Sequence, residues 1–151
     1  ELKKKYGIFL QDCFNYKFNL FNQYESPWEG TRVAKKKNLD SIDFMRQEIR
    51  SKNLKYSFLR FDKERNIETF KKGGWHFTYM KSPEDVRKKI MAFEHEEYNL
   101  HEFTSVNSIK SRIESFTDPY DRDYQLKIVE IDDSYPDYIS NNQHKYSHII
   151  Y

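Results

Sequence analysis

Residues 73 to 99 gather more groups able to do chemistry than any other stretch of the chain: Gly73-Gly74-Trp75-His76-Phe77-Thr78-Tyr79 and, farther on, Phe93-Glu94-His95-Glu96-Glu97-Tyr98-Asn99. In the first run, two conformationally free residues precede a large ring and a titratable imidazole. Glycine lets a ligand approach the backbone, Trp75 offers a flat face for a sugar ring, and His76 can bind a metal, a phosphate or a hydroxyl. The same residues also read as a turn entering a core strand with a buried indole. In the second run, His95 among Glu94, Glu96 and Glu97 is a minimal kit for holding a hard divalent cation or for general-base work. It reads equally as a solvated helix end. The spacing matches no zinc pattern, and the helical His-Glu-x-x-His arrangement does not occur in the sequence.

Pro27-Trp28-Glu29-Gly30-Thr31-Arg32 adds a second aromatic platform, a turn glycine and a guanidinium whose fork suits phosphate oxygens, or alternatively an ordinary surface turn. The acidic residues from Asp118 to Arg122 and at Asp132-Asp133 read as turn formers. Asp121-Arg122-Asp123 has the letters of a metal-diphosphate motif but follows a helix end, in a turn. The sequence holds no Gly-rich phosphate loop, no Gly-x-Gly-x-x-Gly and no Gly-x-Ser-x-Gly elbow.

The elements that must position these groups follow from pattern. From Ile8 to Phe21, alternation of Phe14, Tyr16, Phe18 and Leu20 with polar residues predicts a half-buried strand. A second short strand follows Gly30. Ser41 can cap a helix carrying Ile42, Phe44, Met45 and Ile49. Tyr56 to Phe61 is a strand or an extended connector, and Ile67 to Phe70 is a short apolar piece. Trp75, Phe77 and Tyr79 predict a strand with three aromatics on one face. Ser82-Pro83-Glu84-Asp85 starts a helix with cap, first-turn proline and acid at the positive end of the dipole. A further helix is expected over 105–116, then a strand over 126–131. No repeat or linker divides the chain, so residues 1–151 are expected to form one α/β or α+β domain.

Composition bounds the function. The core must be built from Phe and Tyr, since aromatics make up 17% of the 151 residues and alanine is nearly lacking. A net charge of +2, from 26 basic and 24 acidic residues, gives no global field toward nucleic acid or an anionic membrane. The runs Lys3-Lys4-Lys5 and Lys35-Lys36-Lys37 are short enough to be solvated surface. Cys13, the sole cysteine, excludes an internal disulfide and a multi-cysteine zinc site, and among aromatics it reads as a buried apolar residue. No stretch reaches the length of a membrane span.

Three segments in order, Ser26-Pro27-Trp28-x-Gly30-Thr31-Arg32, Gly74-Trp75-His76-Phe77-Thr78-Tyr79 and Lys89-Ile90-x-x-Phe93-x-His95-x-Glu97-Tyr98-Asn99, resemble glycosyltransferase family 17, the family of the β-1,4-mannosyl-glycoprotein 4-β-N-acetylglucosaminyltransferase. The likeness runs more weakly through Ile109 to Ile113, Asp121-Arg122 and Tyr135-Pro136-x-Tyr138-Ile139-x-x-Asn142. It implies an α/β, GT-A-like mixed sheet with flanking helices and transfer of a sugar, GlcNAc by the resemblance, from a UDP-sugar donor to a glycan acceptor. It also implies a divalent cation, Mn²⁺ foremost. The family's Asp-x-Asp type motif lies in an N-terminal half that has no match in this sequence. The chain is therefore expected to correspond to a C-terminal half that needs its missing partner half for activity. By matched position, Glu97 is the candidate base, with Glu96 as the alternative, and His76 a second catalytic group. Trp28, Arg32, Trp75 and Tyr79 would bind substrate, and His95, or His76 in its place, would face the metal or the diphosphate. The compartment implied is cytoplasmic for a bacterial or viral member and the Golgi lumen for a eukaryotic one. The competing expectation is a non-catalytic carbohydrate-binding or interaction module built on the same aromatics.

Overall fold

A computed structural model describes residues 1–92, 100–120 and 122–151. The chain is a mixed α/β protein with two mixed sheets, and it divides into two compact units. One comprises Glu1–Asp12 and Ser26–Gly74, the other Cys13–Glu25 and Trp75–Tyr151.

The first unit centres on β1 (Tyr6–Phe9), flanked by β4 (Arg32–Ala34) and β5 (Ile67–Phe70). β1 pairs antiparallel with β4, Tyr6 opposite Ala34, and parallel with β5, Tyr6 opposite Ile67. Because side chains alternate along a strand, Tyr6 and Ile8 share a face and enter one core with Ile67, Met45 and Ile49. On the other side Phe9 stacks on Phe70, ring centroids 4.9 Å apart. Helix α1 (Ile42–Gln47) starts where its cap predicts, with Ser41 Oγ accepting from Phe44 N at 2.9 Å. Its expected apolar stripe is only partly used, since Met45 is buried while Ile42 is exposed, and the buried Ile49 lies past the helix end. Tyr56 to Phe61 forms turns, closed by Arg60 N on Ser57 O at 3.0 Å.

Gly73 and Gly74 have packing reasons that involve no ligand. A Cβ on Gly73 would stand 2.8 Å from Leu10 N and Phe9 Cα, and Gly74 has φ of 109°, a region closed to most L side chains.

The second unit holds a four-stranded sheet in the order β6 (Trp75–Thr78), β2 (Asp12–Asn15), β3 (Leu20–Phe21), β7 (Lys127–Ile128). The single strand expected across 8–21 is therefore three. The chain leaves regular pairing at Leu10 and again after Asn15, where Tyr16 takes φ of 66° and a turn brings Leu20 N to Lys17 O at 3.2 Å. The strand expected over 126–131 shrinks to two residues.

Helix α2 (Pro83–Met91) opens on Ser82, whose hydroxyl accepts from Asp85 N. After α3 (His101–Thr104), α4 (Val106–Glu114) is capped in the same way by Ser105 on Ser108 N at 3.1 Å. α2 packs on α4, burying Val86, Ile90 and Ile109 with Tyr16, Leu20, Tyr79 and Leu126. A second aromatic group forms around Phe14, whose ring lies 5.4 Å from both Phe77 and Tyr135. Past α5 (Asp137–Ser140), a 3-10 stretch Gln143–Ile149 is tied back by Phe18 N donating to Ile149 O at 2.9 Å. No helix among the described residues is long and apolar enough to cross a membrane.

Candidate functional site

Strand β6 carries the described part of the motif singled out in the sequence, and its end departs from simple alternation. Phe77 packs on Phe14 and on Phe18, at 5.0 Å. Tyr79 follows the last strand residue with φ of 60°, and this sends its ring into the core formed with α2 and α4. Phe77 and Tyr79, expected on one face, thus serve two different clusters. Tyr79 keeps its hydroxyl satisfied by Tyr120, the oxygens 2.7 Å apart, and burial pushes its ionisation far above the usual phenol range.

Lys89, in the last turn of α2, reaches back to this strand end. Its Nζ donates to Thr78 Oγ1 at 2.7 Å and stands 4.3 Å from the centre of the Tyr79 ring. Burial, with the positive charge of Lys81, lowers its pKa. His76, half-buried two residues before Thr78, is also held below its ordinary value, first by burial and then by the Lys89 charge, while Glu25 opposes the shift. The imidazole is therefore neutral at neutral pH and can accept a proton.

Glu25 is held by Arg122, which donates from Nη2 at 2.6 Å. Arg122 in turn is fixed by Asp118, which is fully buried and accepts from Arg122 Nε at 2.8 Å and Nη2 at 2.5 Å. Asp118 also accepts from the backbone N–H groups of Tyr120 and Arg122 and from Tyr124 Oη at 3.0 Å. The Tyr124 ring stacks on Tyr24, centroids 4.1 Å apart. Sequence reading took Asp118 and Arg122 for turn residues. Nothing in Asp-Pro-Tyr-Asp-Arg separates a carboxylate that caps a turn from one buried beneath it, and the only available signal was two tyrosines and an arginine in the six positions after the acid. Cys13 is buried in this unit, with Sγ 3.7 Å from Glu25 Oε2, and its pKa is pushed up to about 12 by burial and then by Glu25. The thiol stays protonated, as befits a small apolar residue.

Trp28 and Arg32 belong to the first unit. Trp28 pairs its backbone with Gln11, N to O at 2.7 Å, and its indole lies so close over Gly30 that any Cβ there would collide with the ring. Arg32 donates from Nε to Ile49 O at 2.7 Å, and burial lowers its pKa against the opposing charge of Glu29. Glu29 itself accepts from both Ser51 N, at 3.1 Å, and the Ser51 hydroxyl. Trp75, His76 and Tyr79 belong to the second unit. Glu97 and His95, expected as base and metal ligand, lie outside the described residues. Among the described residues no group of three His, Cys, Asp or Glu could hold a metal ion. The chain matches no family model, no curated protein and no solved structure, so what it does has to be argued from these side chains.

Proposed function

We propose that the chain is part of a glycosyltransferase of GT-A-like fold that moves a sugar, GlcNAc by the resemblance, from a UDP-sugar to a glycan acceptor. The observation that carries the reading is the end of β6: a neutral, half-buried imidazole two residues before a hydroxyl, both inside the Gly74 to Tyr79 motif, with the hydroxyl orienting the Lys89 ammonium from α2. Transfer with inversion needs a base to take the proton of the attacking hydroxyl and positive charge to meet the departing diphosphate. His76, with Glu97 as the other candidate base, serves the first need. Trp75 stacks against a sugar. A divalent cation, Mn²⁺ foremost, belongs to the reading through the resemblance. The described residues offer it no three-ligand group.

Transfer from UDP-GlcNAc to an oligosaccharide acceptor tests this in the complete protein. His76→Ala abolishes product while circular dichroism shows an unchanged fold. Full activity in that variant removes His76 from the mechanism. A second reading, a carbohydrate-binding module, draws on the exposed Tyr24 and Tyr138 rings. Calorimetry separates the two, because the module binds N-acetylglucosamine glycans with no response to UDP.

A further inference from the structure

The lysines of α2 are treated differently by their surroundings. Lys88 gives its ammonium to Asp85 at 2.8 Å. Lys89, next to it, has no carboxylate partner among the described residues and rests on the Thr78 hydroxyl above the Tyr79 ring. The helix dipole accounts for a cation in the last turn. It does not account for one folded back onto a strand beside a second positive group, Lys81, and a half-buried imidazole. A partly desolvated ammonium with an orienting hydroxyl and a second cation, Lys81, near it is suited to an anion, and Lys89 is exposed enough for one to reach it.

We propose that Lys89, aimed by Thr78 and Tyr79, binds a phosphoryl group of a small-molecule ligand. The inference deepens the transferase reading and rests on it for taking that group to be the diphosphate of the donor.

Calorimetry on the full chain with inorganic pyrophosphate, in EDTA, tests the assignment. Lys89→Met weakens binding by about tenfold or more, the worth of one charge-assisted hydrogen bond, and Lys88→Met leaves it unchanged. Equal binding by Lys89→Met, equal losses in both variants, or no uptake of pyrophosphate by the wild type overturns it. A second measurement needs no folded variant: pyrophosphate slows acylation of Lys89 by an amine-reactive ester, read by peptide mass spectrometry, and spares Lys88. Equal protection of both, or of neither, again overturns it. Pyrophosphate held at Lys89 without turnover of any nucleotide sugar by the complete protein keeps this inference and removes the transferase reading. Turnover that Lys89→Met leaves untouched does the reverse.

Discussion

Replacing Asp118 by alanine removes an acceptor on which five donors converge. Two of those donors are guanidinium N–H groups of Arg122, whose side chain is 41% exposed and keeps Glu25 at 2.6 Å, so water and Glu25 recover most of what they lose. The other three, Tyr120 N, Arg122 N and Tyr124 Oη, are left around the vacated volume. At about 1 kcal/mol for each, the substitution costs about 3 kcal/mol, toward the low end of what breaking a buried ion pair usually costs. Asp118→Asn keeps one acceptor oxygen and the shape, but sets an amide N–H₂ against the guanidinium, and costs about half as much. Urea unfolding reads both. In a Trp28→Phe background Trp75 is the single indole and reports the second unit. With a slope on the order of 2 kcal/mol/M, Asp118→Ala moves the midpoint down by about 1.5 M. An Asp118→Ala midpoint within about 0.25 M of the parent would mean that the carboxylate is not the organiser of this region.

Three further expectations follow from the same coordinates. Since Lys89 lowers and Glu25 raises the pKa of His76, Lys89→Met moves its imidazole titration up and Glu25→Gln moves it down, measured on the ring protons by NMR; shifts of the same sign contradict the electrostatics. A histidine held below 6.5 when folded leaves the unfolded chain binding more protons as pH falls through the ordinary imidazole range. The second unit therefore loses stability on acidification there, and His76→Gln flattens that part of the profile of unfolding free energy against pH. Gly73→Ala forces a methyl against the Phe9 and Leu10 backbone and lowers the stability of the first unit by about 1 to 3 kcal/mol on thermal melting; a neutral result would show that the strand end yields freely.

The parts of the fold that announced themselves were those with local causes. Ser41 and Ser82 each cap the helix they precede, because a hydroxyl before an amphipathic run has one good use, and Ser105, which the pattern marked only as the start of a helix, does the same. The 75–78 strand was equally plain. What the sequence concealed depends on backbone bends at residues that carry no mark of them. Tyr16 and Tyr79 adopt positive φ without being glycine or asparagine, so the alternation read straight through both. The side chains of the candidate site were visible in the sequence by type, and their contacts were not. Trp75 and His76 stood out by type. Lys89 matched the resemblance but carried no role, because its meaning lies in a contact to Thr78 eleven positions away. Asp118 reads as a turn former, and only the surrounding tyrosines bury it.

The sheet of the second unit also bears on how fast the chain folds. Strands β2 and β6 are neighbours in it although some sixty residues separate them, and closing so long a loop slows folding. A weakened contact between the two strands therefore shows in the refolding rate. Phe77→Ala removes the ring packed 5.4 Å from Phe14 across this pair and slows the recovery of Trp75 fluorescence on refolding. An unchanged rate would mean that the two strands pair after the slow step.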